Sequence, residues 1–234
     1  TFIFAQEIIV SNAKYPTEPI GTNSDKYRPL GLGFANLGGL LMSWGLAYDS
    51  DAGRACAAAV AALMTGEAYV ASAMLAEKVG PFAEYQKNAQ SMARVIRKHR
   101  AALEAVDERY VPGGLMKDAR QAWDIAVSMG KQAGFRNAQV TLLAPTGTIG
   151  FMMDCDTTGI EPELAIVKYK SLVGGGQMKI VNRTVPAALA RLGYGQAQIQ
   201  IILDYIDRND TIEGGPKGEG KITRVMADAA LKML

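Results

Sequence analysis

Thr146-Gly147-Thr148-Ile149-Gly150 places two hydroxyls and two glycines within five positions, directly after Pro145. A tight loop of that composition can aim several backbone N–H groups and two hydroxyls at one point, and glycine lets a ligand approach the backbone closely. That chemistry suits a phosphate. The loop lacks the lysine that completes the Walker pattern. The same spacing also serves an ordinary turn after a strand, so the residue types alone leave both readings open.

The elements that would position this loop lie on either side of it. Val140-Thr141-Leu142-Leu143-Ala144 is short, apolar and partly β-branched, which predicts a buried strand. Pro145 stops it, because proline has no N–H to give a sheet. Downstream, Asp154-Cys155-Asp156 brings two carboxylates and a thiol together. Two carboxylates beside a lone cysteine match no common metal-ligand spacing, and no partner cysteine lies nearby in sequence for redox work. Glu161 is placed to brace the loop by hydrogen bonds to its backbone.

From Ala144 to Gly150 the chain reads APTGTIG, and from Asp154 to Pro162 it reads DCDTTGIEP. This wording resembles the substrate-phosphate loop, and the segment after it, in the catalytic chain of ribonucleotide reductases. It is most similar to the adenosylcobalamin-dependent (class II) branch. Other stretches resemble the family in the same order: Arg28-Pro-Leu-Gly-Leu-Gly33, Gly174-Gly-Gly176 with Lys179-Ile-Val-Asn182, and Val185-Pro-Ala-Ala-Leu189 leading to Leu192-Gly-Tyr194. Thr211-Ile-Glu-Gly-Gly-Pro216 ends the resemblance, and Lys217-Gly-Glu-Gly-Lys221 departs from the family pattern.

The resemblance implies an α/β fold, part of the ten-stranded α/β barrel typical of these reductases, with residues 1–234 forming the C-terminal half of that barrel as a fragment. It implies a ribonucleoside-diphosphate reductase that makes 2′-deoxyribonucleotides by a cobalamin-initiated thiyl-radical mechanism. The substrate, a nucleoside di- or triphosphate, would be held at its phosphates by Pro145, Thr146, Gly147, Thr148 and Ile149. Adenosylcobalamin would be the cofactor and a thioredoxin-like dithiol the reductant, with a homodimer as the assembly. The family's radical cysteine sits in an Asn-x-Cys-x-Glu loop, which is absent from this sequence, so no catalytic residue is assigned here. Two rivals stay open: a glycyl-radical or iron-dependent reductase of the same barrel type, and a non-enzymatic phosphate-binding α/β module.

Composition narrows the classes. Of the residues, 49% are hydrophobic and 21% charged, the balance of a globular core. A net charge of +2 makes no case for nucleic acid or an anionic membrane as partner. Two cysteines, Cys56 and Cys155, are too few for a disulfide framework and point to a reducing, cytoplasmic setting. His99, the sequence's one histidine, has no ligand-spaced neighbours, so no metal site is expected. Neither end reads as a natural terminus: the chain opens on Thr1, and Ile222, Met226, Ala229 and Met233 keep helical spacing to the last residues.

Along the chain, residues 1–28 read as mixed, with a polar loop from Gly21 to Lys26. Pro29 is expected to push Arg28 into an extended conformation, with Leu30 to Gly33 a short strand. Gly31-Leu-Gly33 fails as a dinucleotide fingerprint because position 36 is Asn36; its glycines are expected to allow close strand–helix packing. A helix over Leu37–Trp44 ends at Gly45. Asp49 or Ser50 caps a second helix running to Lys78, whose alanine-rich middle predicts a buried helix rather than a membrane span. A third over 88–106 turns Met92, Val95, Ile96 and Leu103 inward and leaves a basic outer face; a fourth over 118–133 turns Ala122, Ile125, Ala126 and Met129 inward. Leu164–Leu172 is a strand or short helix, Gly174–Gly176 a mobile or sharply turned loop, and helices follow from Thr184 and around Ile199–Ile206.

Since neither cysteine sits in an Asn-x-Cys-x-Glu loop, the purified 1–234 chain is expected to be catalytically silent. Incubation with adenosylcobalamin, a dithiol and ribonucleotide should yield no deoxyribonucleotide, and any product above a no-protein blank would overturn the assignment.

Overall fold

A computed structural model describes residues 1–212, so the expectations for residues 213–234, including the departure after Pro216 and the terminal helical spacing, lie outside the described residues. In chain order the elements are α1 (Phe2–Asn12), α2 (Glu18–Tyr27), α3 (Leu37–Ser43), α4 (Asp51–Val79), α5 (Tyr85–Ala102), α6 (Leu115–Ala133), α7 (Thr148–Met152), β1 (Val167–Ser171), β2 (Gln177–Val181), α8 (Val185–Arg191) and α9 (Gln196–Asn209). The chain divides into two compact units, residues 1–33 with 54–144, and residues 34–53 with those from 145 onward.

In the first unit, α4, α5 and α6 enclose a core that includes Ala59, Ala73, Ile96, Ala119, Trp123 and Phe135. Each large side chain buried there contributes about 1.5–3 kcal/mol. Tyr69 meets Phe135 edge-on at 5.4 Å, and Trp123 donates from Nε1 to the Ala62 carbonyl at 2.9 Å. The helix α4 has the length and apolarity of a membrane span. Its Ala55, Cys56, Ala59, Ala68 and Ala73 are buried, but only 33% of its apolar stretch is buried and Met74 is 45% exposed, so α4 is buried on one side rather than throughout as expected. Val95 and Ile125, expected inward, are 41% and 37% exposed. Trp123 and the alanines beside it fill the contact between α5 and α6, which leaves those two positions on the rim.

Residues 1–28 are not mixed coil. They form α1 and α2, and the expected polar loop Gly21–Lys26 lies within the second helix. Arg28 is not extended either, having φ 48 and ψ 52. Its backbone N–H caps α2 by donating to Ser24 O at 2.8 Å, and that cap overrides the bias set by Pro29. Its guanidinium reaches back to α1, with Nε 2.5 Å from Glu7 Oε1. Arg136 donates to the same oxygen at 2.7 Å, and Asn137 Nδ2 donates to Glu7 Oε2 at 2.7 Å. Ser72 completes the cluster by donating to Asn137 Oδ1 at 2.9 Å.

Leu30–Leu32 and Gln139–Leu142 run side by side in parallel, through Leu30 N–H to Gln139 O (2.8 Å), Leu32 N–H to Val140 O (3.0 Å) and Leu142 N–H to Leu32 O (3.0 Å). Of the expected strand Val140–Ala144 only Thr141 makes a formal bridge, to Leu32. Val140 is fully buried, but Leu142 and Leu143 are 46% and 41% exposed. Among the described residues the strand is paired along one edge only, and the Leu142 side chain lies against Gly31. The glycines at 31 and 33 serve this strand pairing rather than strand–helix packing: a Cβ on Gly33 would stand 2.3 Å from Leu142 O.

In the second unit, Val185, Leu189, Ile199, Ile202 and Ile206 form the core beneath an antiparallel hairpin of β1 and β2. Gly174, Gly175 and Gly176 turn that hairpin with φ of 97, 99 and 90, a run that L side chains rarely adopt. The second strand was not anticipated. Apart from this hairpin and the isolated bridge, the described residues are helical or irregular, and no closed barrel forms among them.

Glu7→Gln keeps the shape of the side chain but leaves two guanidinium groups facing a neutral amide in a buried setting. Breaking a buried pair costs about 3–5 kcal/mol. The urea midpoint of the variant should fall accordingly, and a loss below about 1 kcal/mol would mean the cluster behaves like an exposed ion pair.

Candidate functional site

The loop from Pro145 to Ile149 lies in the second unit. Thr146 is left-handed with φ 51, which swings the chain so that Gly147, with φ −68 and ψ −89, can open the short helix α7. Gly150 N–H closes that turn on Gly147 O at 3.1 Å. The N–H groups at the start of a helix, here those of Thr148 and Ile149, have no partner within it. No heavy atom lies within 4 Å of where a Cβ on Gly147 would stand, so the approach is open. Thr148 is exposed and Ile149 is 51% exposed. The structure therefore places the five expected residues on one bend, with Thr146 half-buried and the other four exposed.

One helical turn later the chain folds back. Cys155 N–H donates to Gly150 O at 2.9 Å, and Asp154 is left-handed with φ 63. The returning segment is held mainly by side chains from elsewhere in the unit. Arg183 Nη1 donates to Asp154 Oδ2 at 2.7 Å, and the Arg183 backbone N–H donates to Asp156 Oδ1 at 2.8 Å. Lys168 Nζ reaches Asp156 O at 2.6 Å and Glu163 Oε1 at 2.8 Å. Asn182 Nδ2 donates to Glu163 Oε2. The hydrogen-bonded guanidinium of Arg183 holds the Asp154 carboxyl below the usual carboxylate range.

These contacts account for Asp154-Cys155-Asp156. Its carboxylates are engaged by Arg183, and no metal-binding group of histidine, cysteine and carboxylates occurs among the described residues. Burial, followed by the charges of Asp156 and Asp154, pushes the Cys155 thiol up, so it is a poor nucleophile near neutral pH. Burial also raises Cys56, which is fully buried and points its Sγ at Tyr110 O, 3.2 Å away. Glu161 does not brace loop backbone. Its carboxylate accepts from the Thr158 hydroxyl at 2.9 Å, and Thr158 O accepts from Glu161 N–H at the same distance.

The brace that the sequence reading missed is Asn36, noted there only as the residue that spoils a glycine fingerprint. Its Oδ1 accepts from Asp156 N–H at 3.1 Å and Thr157 N–H at 3.0 Å. The signal was available in type, because asparagine is among the few residues that tolerate a left-handed backbone and cap with their side chain. Nothing in the spacing pointed to a partner some 120 positions away.

A second feature beside α7 is Lys170, whose Nζ lies 4.0 Å from the centroid of the Phe151 ring. Phe151 is three residues after Thr148 and so on the same side of the helix. The basic outer face of α5 is partly neutralised: Arg100 pairs with Asp124 and Glu104, each at 2.6 Å, and His99 stacks on Trp123 at 5.3 Å.

A family model for the ribonucleotide reductase barrel domain matches residues 1–229. The chain is 55% identical over 216 residues to a vitamin B12-dependent ribonucleotide reductase of Rhodopirellula baltica, covering 92% of this chain and 21% of that protein. It is 49% identical over 217 residues to one from Streptantibioticus cattleyicolor, covering 92% and 36% respectively. A vitamin B12-dependent ribonucleoside-diphosphate reductase of Mycobacterium tuberculosis matches at 28% over 166 residues, 71% of this chain and 18% of that protein. The chain thus spans well under half the length of these relatives. Because the family match runs through the loop, the segment that returns against α7 and nearly all of the remaining sequence, this chain belongs to the ribonucleotide reductase family and falls in its barrel domain.

Proposed function

We propose that this chain is part of a vitamin B12-dependent ribonucleotide reductase, and that Pro145, Thr146, Gly147, Thr148 and Ile149 hold the phosphates of its ribonucleotide substrate. The observation that carries the loop assignment is the exposed first turn of α7, entered through left-handed Thr146 and unobstructed at Gly147. Backbone N–H groups at such a turn are donors with no intrahelical use, and they favour an anion. The Thr148 hydroxyl adds a side-chain donor on the same bend. We take the substrate to be a nucleoside diphosphate, the form named for the M. tuberculosis relative, and the product to be the 2′-deoxyribonucleotide.

The cofactor reading follows from the vitamin B12-dependent relatives, and cobalamin would supply the radical. No groove described within a single unit is large enough to enclose it. Grooves within the single units hold about 320 to 550 Å³, the size range of pockets for drug-sized ligands, and a corrin with its substituents is larger. His99, the one imidazole, stacks on Trp123. No step is therefore assigned through cobalamin, and the part proposed for these residues is to bind and orient the substrate phosphates. Neither thiol is suited to supply electrons, since Cys56 is buried and Cys155 is pushed up. We further propose a thioredoxin-like dithiol as reductant, acting through residues elsewhere in the enzyme, and a cytoplasmic setting in keeping with it.

A hydroxyl donating to an ionised phosphate is worth about 1.5–3 kcal/mol. In the full-length enzyme, Thr148→Ala should weaken nucleotide binding about 10- to 100-fold, since about 1.4 kcal/mol is tenfold. Thr148→Ser, which keeps the hydroxyl, should bind like the parent, and kcat at saturating nucleotide should stay within about threefold for both. Dissociation constants and steady-state kinetics check this. Unchanged affinity in Thr148→Ala together with a loss in Thr148→Ser would make the loop structural and remove the phosphate assignment.

A further inference from the structure

We propose that Asn36 is a positioning residue for the phosphate loop: its side-chain carbonyl locks the segment that is tied to the middle of α7, and so holds the loop's donors in place before substrate arrives. This rests on the reading that Pro145–Ile149 binds phosphate. Asn36 stands at the start of α3 with φ 65 and ψ 29, a left-handed conformation that asparagine tolerates better than most residues. From there its Oδ1 gathers Asp156 N–H (3.1 Å), Thr157 N–H (3.0 Å) and the Thr157 hydroxyl (3.3 Å). Thr157, 2% exposed, is gripped from its other side as well, where its Oγ1 accepts from Gly39 N–H at 3.1 Å.

The fit is close on the α3 side. A Cβ at position 39 would stand 2.4 Å from Asn36 Oδ1, and one at position 38 would stand 2.7 Å from Glu161 O. The glycine pair lets the acceptor and the returning segment occupy that space. Cys155 N–H then ties this locked stretch to Gly150 O at 2.9 Å, inside α7. The loop enters α7 at Thr148, two residues before the tied carbonyl of Gly150. A bend whose exit is fixed presents its N–H groups ready-made, whereas a loose one has to be ordered by the ligand at the expense of affinity. Residue 36 touches no substrate in this scheme; it acts through residues 155–157.

The test uses the full-length enzyme at about 0.15 M ionic strength, where charges more than about 8 Å apart are largely screened. Asn36→Gly retains the left-handed backbone and removes the acceptor; Asn36→Asp retains the acceptor. Asn36→Gly should raise KM for nucleotide about tenfold with kcat nearly unchanged, the pattern of lost uniform binding. The inhibition constant of inorganic pyrophosphate should rise by the same factor, while the affinity for a free nucleoside, which lacks phosphate, stays the same. Asn36→Asp should lie within about threefold of the parent. A purely structural role predicts a lower Tm with KM and pyrophosphate inhibition unmoved, and that result would overturn the proposal. So would equal losses in Asn36→Asp and Asn36→Gly. If Asn36→Gly does not fold, Thr157→Val removes one strand of the lock and should raise KM about threefold; no change there also overturns it. Thr148→Ala measured alongside separates the two claims. If it weakens binding and Asn36→Gly does not, only the role of Asn36 falls; if Thr148→Ala binds normally, the phosphate loop itself falls and takes this inference with it.

Discussion

Irregular backbone laid against a helix has to find partners for its polar groups outside any ladder, and in the second unit those partners are side chains. The stretch from Asp154 to Glu163 contains no regular element. Asn36 supplies an acceptor for two of its N–H groups, Lys168 supplies a donor to one of its carbonyls, and Arg183 supplies donors to two of its carboxylates. The hairpin and the residues just after it therefore serve the loop. Asn182 and Arg183 follow β2 directly, and the turn of three glycines brings them to the returning segment. What reads in sequence as separate short motifs is one hydrogen-bonded assembly whose members depend on each other for position.

The first unit meets the same constraint with a closed cluster. Glu7 is 7% exposed and receives donors on both carboxylate oxygens, from Arg28 and Arg136 on one and Asn137 on the other. A buried pair of this kind need not add net stability over an apolar replacement, because desolvation opposes the attraction. Its geometry is nonetheless specific: it fixes α1, the end of α2 and the start of the strand at Gln139 to one another. Asn137, two residues before Gln139, donates to Glu7 on α1 and to the Arg28 carbonyl at the end of α2, and accepts from Ser72 on α4. The second unit leaves its cluster half open to solvent, with Asp154 and Arg183 exposed.

How much of this was legible depended on whether a residue's role is local. Helices marked by apolar spacing and glycine stops, such as α3 before Gly45 and α8 before Gly193, lie close to where the pattern places them. The glycine turn at 174–176 was equally readable, because three successive glycines have few other uses. The first helix was not. Its apolar residues Phe2, Ile8 and Ile9 face outward while Glu7 is buried, the reverse of the rule that periodicity relies on. Arg28 was misjudged because a local rule about the residue before proline lost to a cap and a buried ion pair. The loop was recognisable from its wording, but its brace was not: a hydrogen bond between positions 36 and 157 leaves no mark in either neighbourhood.

The distribution of charge around the loop bears on how it would hold an anion. Arg183 is matched by Asp154 and Asp156, Lys168 by Glu163, and Lys179 by Asp207 and Asp210. Much of the positive charge on this hairpin is thus already engaged within the unit, and the Lys170 Nζ lies 4.0 Å from the centroid of the Phe151 ring. A phosphate at Gly147–Ile149 would then be held chiefly by oriented N–H dipoles and one hydroxyl. Such donors are fixed by the backbone, so their worth depends on how firmly the bend is set and little on side-chain charge. A lysine can follow a displaced phosphate on its flexible stem; an amide cannot. Under the proposed function, a loop without a lysine makes greater demands on its supports, and the side-chain bonds onto residues 154–157 would meet that demand.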